Sequence, residues 1–522
     1  MQLNHDVIRK ASARAKARRH LGTLQAQFFA WLSSYKNIYY PNQTLENRKT
    51  LVRTYCLHAM RHIWQSRQTL LENNAALEQA QAAAKESKGM VPDALVESCR
   101  DQGFTRPRVL ILVPMKNAAL PIFQNLVKLV RATQVENKNR VEEDFQGPSP
   151  EEDEVDWSTK PADHTAFFKG NTGDAFRVGI RIGKKTMHYY SPFYNSDILV
   201  CSPLGLRTII GVEGDRKRES DFLSSIEMVI VDDMQTMMMQ NMDHLQIILQ
   251  SLNKQPREDH GCDISRLAPR FTEGVWPSLC QTVFIGAFST PMMQHLFKQH
   301  AQSVAGTIRV QPTYDGVMNL ATTAGSQAFR RIATTSLAES EEARFAFFTG
   351  KVMAHLSNSV DITDHVVLFI PSYLDFLRVR AWCKEQSVNF QSLHEYSKPG
   401  AIVRARRAFL RGECHFLLVT ERYYFYHRLA VRNVHKIVFY ALPETPQFYP
   451  EWLDAARPPP GVKPQIDPAT GEPSLQAFKS AMGHNATILF TRYDRLRLER
   501  IVGTERAHQM LTAASDSVIF ST

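Results

Sequence analysis

The stretch Glu227-Met-Val-Ile-Val-Asp232-Asp233-Met-Gln235 joins an apolar run to a pair of carboxylates. In a doubly wound α/β sheet, ligands bind beyond the carboxyl ends of the strands. Acidic residues at such a strand end are where nucleotide-hydrolysing enzymes hold magnesium and activate the attacking water. The stretch therefore indicates either a working ATPase site or the outline of one on a protein that no longer uses it.

Further apolar runs of strand length lie on both sides of this stretch, with helical segments between them. The predicted strands are 107–113, 197–201, 281–286, 365–370, 389–394, 415–420 and 435–440. Such continuous runs are typical of strands buried on both faces. The alternation restarts after about residue 340, which favours two α/β lobes over one large sheet. We expect a basic, mainly helical extension over residues 1–100, a first lobe over 101–340 with an acidic loop at 142–156, and a second lobe over 341–522.

The composition excludes some classes of protein and leaves others open. The chain has 522 residues and a net charge of +10, which suits a polyanionic partner such as nucleic acid but also an ordinary basic enzyme. No apolar run reaches the roughly 18 residues that a membrane span needs. None of the 7 cysteines forms a C-x-x-C pair, so neither a zinc site nor a disulfide framework is expected, and a reducing compartment is.

The amino-terminal segment carries a run of cations: Arg9, Lys10, Arg14, Lys16, Arg18 and Arg19. It lacks the apolar region of a secretory signal. Three interpretations stay open, namely a mitochondrial transit peptide, a solvated helical arm, and a basic arm that contacts nucleic acid or carries a nuclear address.

One segment looks like a phosphate-binding loop but does not qualify. In Gly179-Ile-Arg-Ile-Gly183-Lys184-Lys185-Thr186 the glycines are one residue too close, and a second lysine separates Lys184 from Thr186. The motif also requires a helix to follow, so that backbone N–H groups point at phosphate, whereas this segment alternates like a strand. Nothing else in the chain fits the motif.

The order of polar residues after the strands resembles that of superfamily 2 RNA helicases of the DEAD-box type. The first half presents Pro114, Ser202-Pro-Leu-Gly-Leu, Val231-Asp232-Asp233 and Ser289-Thr290, and the second half presents Phe369-Ile-Pro-Ser, Leu418-Val-Thr420-Glu421 and Tyr440-Ala-Leu442-Pro443. The resemblance implies an α/β fold with two RecA-like lobes behind the helical amino-terminal extension.

The departures from the helicase pattern concern the chemistry. Residues 1–106 contain no glycine–lysine loop, and Asp233 stands where the family has its water-activating Glu. Glu444-Thr-Pro-Gln-Phe-Tyr-Pro-Glu-Trp452 replaces the arginine-finger motif. Loss of a finger alone costs about 10³ to 10⁵ in rate. We therefore expect no ATP turnover, no catalytic residue, no cofactor and no metal, with Asp232 and Asp233 as the remnant of the helicase motif.

One family shares both the scaffold and these losses, and its characteristic blocks recur here. They include Tyr194-Asn-Ser-Asp-Ile-Leu-Val-Cys-Ser-Pro-Leu-Gly-Leu-Arg-Thr-Ile-Ile-Gly211, Asp221-Phe-Leu-Ser-Ser225, Thr420-Glu-Arg422 and Val502-Gly-Thr-Glu-Arg506. The chain closely resembles the digestive organ expansion factor family, also called small nucleolar RNA-associated protein 25.

This resemblance implies a non-catalytic, helicase-like scaffold of the small-subunit processome, located in the nucleolus and needed for processing pre-ribosomal RNA toward the small-subunit (18S-type) RNA. The implied partners are pre-ribosomal RNA, a small nucleolar ribonucleoprotein and other processome proteins. Two alternatives stay open, an active but divergent ATP-dependent RNA helicase and a protein-only assembly hub without RNA contact.

Several basic residues are candidates for RNA contact. Arg404, Arg407 and Arg411 are spaced three and four apart, so a helix would place them on one face, where they track phosphates or form a solvated face. Tyr423-Tyr-Phe-Tyr-His-Arg428, together with Arg422, mixes aromatic and basic side chains as a stacking surface does, although such a run is also typical of a core. Lys184 and Lys185 form a smaller basic cluster.

Overall fold

The computed structural model describes residues 22–148, 155–211, 218–322, 325–359, 365–456 and 486–521. The chain divides into two compact units, Met1–Pro312 and Thr313–Thr522. Within the described residues, no helix has the length and apolar character to cross a membrane. The basic run at residues 9–19 lies outside the described residues.

The first unit is built on a 9-stranded sheet of order β3-β5-β4-β6-β2-β7-β8-β1-β9. Its strands are β1 (Asn37–Tyr40), β2 (Val109–Leu112), β3 (Gln134–Glu136), β4 (Arg177–Ile182), β5 (Thr186–Tyr189), β6 (Ile198–Cys201), β7 (Met228–Val231), β8 (Gln281–Ile285) and β9 (Thr307–Arg309). Neighbouring strands run parallel, except that β4 is antiparallel to β5 and to β6. Most carboxyl ends therefore meet at one edge of the sheet.

Helices pack on both faces of this sheet. They are α1 (Thr23–Ser33), α2 (Arg48–Ser87), α3 (Asp93–Ser98), α4 (Lys116–Val130), α5 (Lys138–Phe145), α6 (Ala162–Phe168), α7 (Pro203–Ile210), α8 (Met234–Met238), α9 (Met242–Ser251), α10 (Pro269–Thr272) and α11 (Pro291–His300). Along β7, Ile230 belongs to the core that contains α2 and α4, whereas Val231 belongs to the core under α9 and α11. Burial on both faces explains why β7 is apolar at every position.

The second unit has a 7-stranded sheet of order β12-β13-β11-β14-β15-β10-β16. Its strands are β10 (Ser326–Arg331), β11 (Val366–Ile370), β12 (Phe390–Leu393), β13 (Phe416–Thr420), β14 (Lys436–Phe439), β15 (Ala486–Phe490) and β16 (Ser517–Ser521), and only β16 is antiparallel to its neighbour. Its helices are α12 (Leu337–Phe347), α13 (Ala354–Ser359), α14 (Tyr373–Glu385), α15 (Pro399–Leu410), α16 (Glu421–His427), α17 (Phe448–Ala455), α18 (Arg495–Val502) and α19 (Thr504–Thr512), with a π-helical segment, Phe348–Met353, between α12 and α13.

The α/β class with mainly parallel sheets is confirmed, and each predicted strand is present with somewhat shorter bounds. The segment around Lys184 and Lys185 joins β4 to β5, so a strand and not a helix follows it. This agrees with the prediction that the segment is not a phosphate-binding loop.

The unit boundaries differ from those expected. Residues 37–40 form β1 between β8 and β9, so α2 and the segment before it belong to the first unit rather than to a separate extension. The boundary lies after Pro312, not near residue 340, because β10 pairs with β15 in the second sheet. The expected acidic loop begins inside α5, which extends to Phe145, and residues 149–154 of it lie outside the described residues.

Candidate functional site

Asp232 and Asp233 lie at the carboxyl end of β7, buried to 2% and 1% relative exposure. The backbone N–H of Asp232 donates to Leu112 O at 3.0 Å, which extends the pairing with β2 by one residue. Asp233 adopts a left-handed backbone conformation, with φ of 57°, and is the N-cap residue of α8. Asp tolerates this conformation better than most residues. The chain thus turns sharply here and holds both carboxylates inside the fold.

The segment of residues 41–47 lies at the same edge of the sheet. It connects β1 to α2, and β1 is separated from β7 only by β8. A phosphate-binding loop occupies such a place, between a strand and the helix that follows it. The segment Pro41-Asn-Gln-Thr-Leu-Glu-Asn47 contains no glycine and no lysine. In this fold, residues 41–47 therefore occupy the place where a glycine–lysine loop would lie.

Backbone N–H groups of this segment are already used within the protein. The N–H of Gln43 donates to Gly286 O at 2.8 Å. Thr44 N–H donates to Asn47 Oδ1 at 2.8 Å, and Asn47 N–H donates to Thr44 Oγ1 at 3.2 Å. Arg48 N–H donates to Thr44 O at 3.0 Å. A phosphate cradle needs such N–H groups to point at the ligand, so this closed turn does not provide one.

The carboxylate of Asp232 accepts hydrogen bonds on both oxygens. Gln43 Nε2 donates to Oδ1 at 2.8 Å, and the N–H of Asp233 donates to the same oxygen at 2.8 Å. The Tyr55 hydroxyl, on α2, donates to Oδ2 at 2.9 Å. Burial, and then the charge of Asp232, raise the pKa of Tyr55 well above its usual value, so this hydroxyl keeps its proton.

The carboxylate of Asp233 is neutralised by an arginine. The guanidinium of Arg48, in the first turn of α2, pairs with Oδ2 of Asp233. The amide of Gln235 donates to Oδ1 at 3.2 Å. The guanidinium of Arg48 also lies over the ring of Phe167, 5.2 Å from its centroid. The cation at this strand end is therefore a side chain of the protein itself.

Burial shifts the titration of Asp232. Removal from water, and then the negative charge of Asp233, raise the pKa of Asp232 to about 6, although Arg48 opposes the shift. A carboxyl with this pKa is mostly ionised at pH 7 and accepts protons in mildly acidic solution.

A magnesium-bound nucleotide at this strand end would have to displace contacts that the protein makes to both carboxylates. Amide, hydroxyl and guanidinium donors point at the oxygens that a hydrated magnesium ion would use, and the charge of Asp233 is already balanced by Arg48. Magnesium prefers oxygen ligands and keeps several waters, whereas both carboxylate oxygens of Asp232 accept hydrogen bonds from the protein. Among the described residues, no group of three or more His, Cys, Asp or Glu side chains has metal-binding geometry.

In the second unit, buried ion pairs occupy the carboxyl edge of the sheet after β14. Glu444 lies where the helicase pattern has its arginine-finger motif, and it accepts from Arg497 Nε at 2.6 Å and from Arg500 Nη2 at 2.8 Å. Both arginines come from α18, and the side chain of Arg500 is 1% exposed. Glu421 accepts the N–H groups of Glu444 and Thr445 at 3.0 and 2.8 Å. Arg497 and Arg500 at this edge thus form ion pairs within the second unit.

Five of the predicted RNA-contact residues lie at the surface. Arg404 and Arg407 are exposed on α15, and Arg411 is exposed at its C-cap, 3.6 Å from Glu413. Lys184 and Lys185 are exposed in the turn between β4 and β5. These two groups belong to different units of the chain.

Arg428 requires a correction, because it is not at the surface. Its guanidinium donates to both oxygens of Glu451, at 2.7 and 2.6 Å, and lies 4.3 Å from the ring centroid of Phe448. Its side chain is 3% exposed. The neighbouring aromatic run is largely core, since Tyr423, Tyr424 and Phe425 are buried. Arg422 is half-buried.

Sequence reasoning missed Gln43, Tyr55 and Arg48 at this site. Each is an ordinary polar residue in its local sequence, and their meeting with Asp232 and Asp233 depends on the pairing of β1 with β8.

Family models match both units of the chain. Residues 35–308 match the model described as "UTP25, NTP hydrolase-like domain". Residues 317–520 match "Utp25, C-terminal domain". The two matches fall on either side of the boundary between the compact units.

Curated relatives extend this match. The U3 small nucleolar RNA-associated protein 25 homologs of Xenopus tropicalis and Homo sapiens are each 35% identical over 506 residues, which is 96% of this chain and 62% and 63% of those proteins. The protein of Arthroderma benhamiae is 37% identical over 497 residues, 92% of this chain and 64% of its own length. The chain thus spans less than two thirds of the length of these relatives.

Solved structures of helicases show a weaker likeness. A hypothetical ATP-dependent RNA helicase from Sulfolobus tokodaii is 12% identical, with 93% of this chain and 96% of that chain covered and a TM-score of 0.27. A likeness this low adds nothing to the fold described above. The family models and the curated relatives do establish the relationship: the chain belongs to the family of U3 small nucleolar RNA-associated protein 25.

Proposed function

We propose that this chain is a non-catalytic, helicase-like scaffold of the small-subunit processome that acts in pre-ribosomal RNA processing in the nucleolus. The observation that carries the non-catalytic part is the occupation of Asp232 and Asp233 by donors from Gln43, Tyr55 and Arg48. These side chains make the contacts to the two carboxylates that a nucleotide-bound metal and its waters would otherwise make. The role in ribosomal RNA processing rests on the names of the relatives.

The proposed partners are pre-ribosomal RNA, a small nucleolar ribonucleoprotein and other processome proteins. The net charge of +10 supports an anionic partner. The exposed cations of α15 and of the β4–β5 turn supply positive charge at the surface of each unit. A contact through these residues would lose affinity steeply as salt rises, because bound counterions are released from the nucleic acid.

Calorimetric titration with magnesium-ATP tests the non-catalytic part, combined with phosphate release measured with and without single-stranded RNA. We expect no saturable heat and no RNA-stimulated release. Saturable binding with RNA-stimulated release would overturn the proposal in favour of an active helicase. The Arg48→Lys variant serves as a matched control, because it keeps the charge beside Asp233 and should also remain inactive.

A second measurement separates the scaffold from a protein-only hub. Ultraviolet crosslinking in cells, followed by sequencing of attached RNA, should recover pre-ribosomal RNA. Depletion of the protein should lower small-subunit RNA relative to large-subunit RNA. Recovery of processome proteins without crosslinked RNA would contradict the RNA-contact part of the proposal.

A further inference from the structure

A partly exposed aromatic cluster lies at the carboxyl edge of the second sheet, with two of its three rings half-buried. Tyr396 follows β12 and is 68% exposed. Its ring meets that of Tyr373, the first residue of α14, with centroids 5.1 Å apart and planes at 62°. His394 lies 6.1 Å from Tyr373 and 6.4 Å from Tyr396. We call Tyr373, His394 and Tyr396 the tyrosine platform.

The tyrosine platform is fixed by packing on a buried phenylalanine and by hydrogen bonds of the turn that contains Tyr396. Phe376, which is fully buried, packs on Tyr373 at 5.7 Å and on His394 at 5.1 Å. The N–H of His394 donates to Ser397 Oγ at 3.0 Å, and Ser397 N–H donates to His394 O at 2.9 Å. This turn fixes the backbone on both sides of Tyr396, so its ring is presented to solvent at little further entropic cost.

Two cations lie near the platform, together with two acids, Glu395 and Asp375, the latter in the first turn of α14. Arg380 lies over Phe376, 5.7 Å from the ring centroid. Lys398 is exposed two residues beyond Tyr396. Glu395 is the acid within the turn, and its Oε2 accepts from Thr420 Oγ1 at 2.8 Å, so its carboxylate is held at the end of β13. Burial, and then the charge of Arg380, lower the pKa of His394, which keeps its ring neutral at pH 7.

Aromatic faces beside cations are what unpaired bases bind. Bases stack on tyrosine rings whatever their sequence, while nearby Lys and Arg hold the phosphates. A duplex does not present its base faces, so such a surface favours single strands. Leu374 and Leu377 are also exposed on α14, at 77% and 36%, which is the feature that an apolar protein partner would use.

We propose that the tyrosine platform stacks with unpaired bases of single-stranded RNA, with Tyr396 as the principal stacking residue and Tyr373 beside it. The inference deepens the proposed role in RNA processing by naming a binding site and a form of RNA, and it rests on that role. Of the two interpretations of the aromatic run at residues 423–428, a stacking surface or a core, the structure shows mainly core.

Fluorescence anisotropy of the 522-residue chain with a labelled ten-nucleotide oligouridine tests the proposal. Tyr396→Ala should weaken binding by about tenfold or more, because one base loses its stacking partner. Tyr396→Trp should keep the affinity within about twofold, because an aromatic face remains. Because no cation is removed, the dependence of affinity on salt should be unchanged in both variants.

Two controls define the outcomes that would overturn the proposal. Leu374→Ala should bind the oligomer as the unsubstituted chain does, and an RNA duplex should compete less well than the single strand. Unchanged binding by Tyr396→Ala would overturn the platform, as would an equal loss in Leu374→Ala, which would assign this face to an apolar partner. Since Tyr396 is exposed, circular dichroism of the variants should be unchanged.

Failure of this inference is distinguishable from failure of the proposed function. If Tyr396→Ala binds RNA normally and the chain neither binds nor turns over ATP, the platform is wrong and the scaffold stands. If the chain hydrolyses ATP but Tyr396→Ala loses RNA affinity, the scaffold is wrong and the stacking site stands.

Discussion

The guanidinium of Arg48 pairs with the carboxylate of Asp233, 185 residues away in the chain. The side chain of Asp233 is 1% exposed and that of Arg48 is 21% exposed. In a nucleotide-hydrolysing site a dissociable metal ion balances the acidic charge at this strand end. Here the balancing cation is covalently part of α2, so the charge is neutralised whenever the first unit is folded.

Removal of this cation should destabilise the first unit. Arg48→Met leaves the Asp233 carboxylate buried without a counter-charge. Breaking a buried ion pair by removing one partner costs about 3–5 kcal/mol, and the partial exposure of Arg48 reduces this to about 2–3 kcal/mol. Urea unfolding, followed by circular dichroism, measures the change in free energy of unfolding.

Two further variants identify the cause. Lys49→Met removes an exposed cation from the next position of α2 and should change the free energy by no more than about 0.5 kcal/mol. Asp233→Asn combined with Arg48→Met should recover most of the lost stability, because residue 233 then carries no charge that needs the guanidinium. Equal effects of Arg48→Met and Lys49→Met would show that the ion pair does not stabilise the fold.

The second prediction concerns the pH dependence of stability. Because burial and the charge of Asp233 raise the pKa of Asp232 from 3.8 to about 6, the folded state binds a proton that the unfolded state releases between these values. The ionised carboxyl therefore costs stability above about pH 6, and the cost disappears as pH falls toward 4. Asp232→Asn removes the charge at every pH.

We therefore expect Asp232→Asn to be more stable than the unsubstituted chain at pH 7.5, by no more than about 3 kcal/mol, and equally stable near pH 4. The asparagine oxygen can still accept from Gln43, and its NH₂ can donate to the hydroxyl of Tyr55. Thermal unfolding between pH 4 and 7.5 measures the difference. A difference that does not vary over this range would contradict the raised pKa.

The sequence was sufficient for the architecture where strands are buried on both faces. Runs such as Met228–Val231 and Val366–Ile370 are apolar at every position and were predicted as strands. Two of the strands that were not predicted lack this pattern, whereas β15, Ala486–Phe490, is largely apolar and is nevertheless absent from the predicted strands. β1, Asn37–Tyr40, has two tyrosines and an asparagine, and β10, Ser326–Arg331, ends in two arginines. Their place depends on pairing with β8 and β15, which local sequence does not encode.

The sequence indicated the two carboxylates of the candidate site but not the side chains that contact them. Asp232 and Asp233 can be identified in the sequence as two carboxylates that follow an apolar run. Their partners Gln43, Arg48 and Tyr55 form no motif, because their roles arise from the return of β1 to the same sheet edge. The absence of a phosphate loop could be predicted from the missing glycines. The contacts of side chains with the two carboxylates could not, because they join segments that lie far apart in the sequence.

The exposed arginines of α15 should contribute electrostatic RNA affinity. Substitution of Arg404, Arg407 and Arg411 by glutamine removes up to three phosphate contacts, and each contact changes the logarithmic salt slope by about 0.7 for a single strand. We expect weaker binding and a slope smaller by up to about 2. Arg406→Gln is the matched control, because Arg406 already donates to Ala430 O at 2.8 Å. An unchanged slope in the triple variant would show that α15 does not contact RNA.

Arg428 should behave in the opposite way, through stability rather than RNA affinity. Its side chain is 3% exposed and pairs with Glu451 through two hydrogen bonds, so Arg428→Met leaves a half-buried carboxylate without its counter-charge, although the Tyr424 hydroxyl still donates to it. We expect a loss of about 3 kcal/mol in the free energy of unfolding of the second unit, with the salt slope of RNA binding unchanged.

Arg422→Met, at a half-buried neighbouring position, should cost less than about 1 kcal/mol. If Arg428→Met lowered the salt slope while the unit remained as stable as before, the guanidinium would have to leave Glu451 and reach phosphate, and its structural assignment would be wrong.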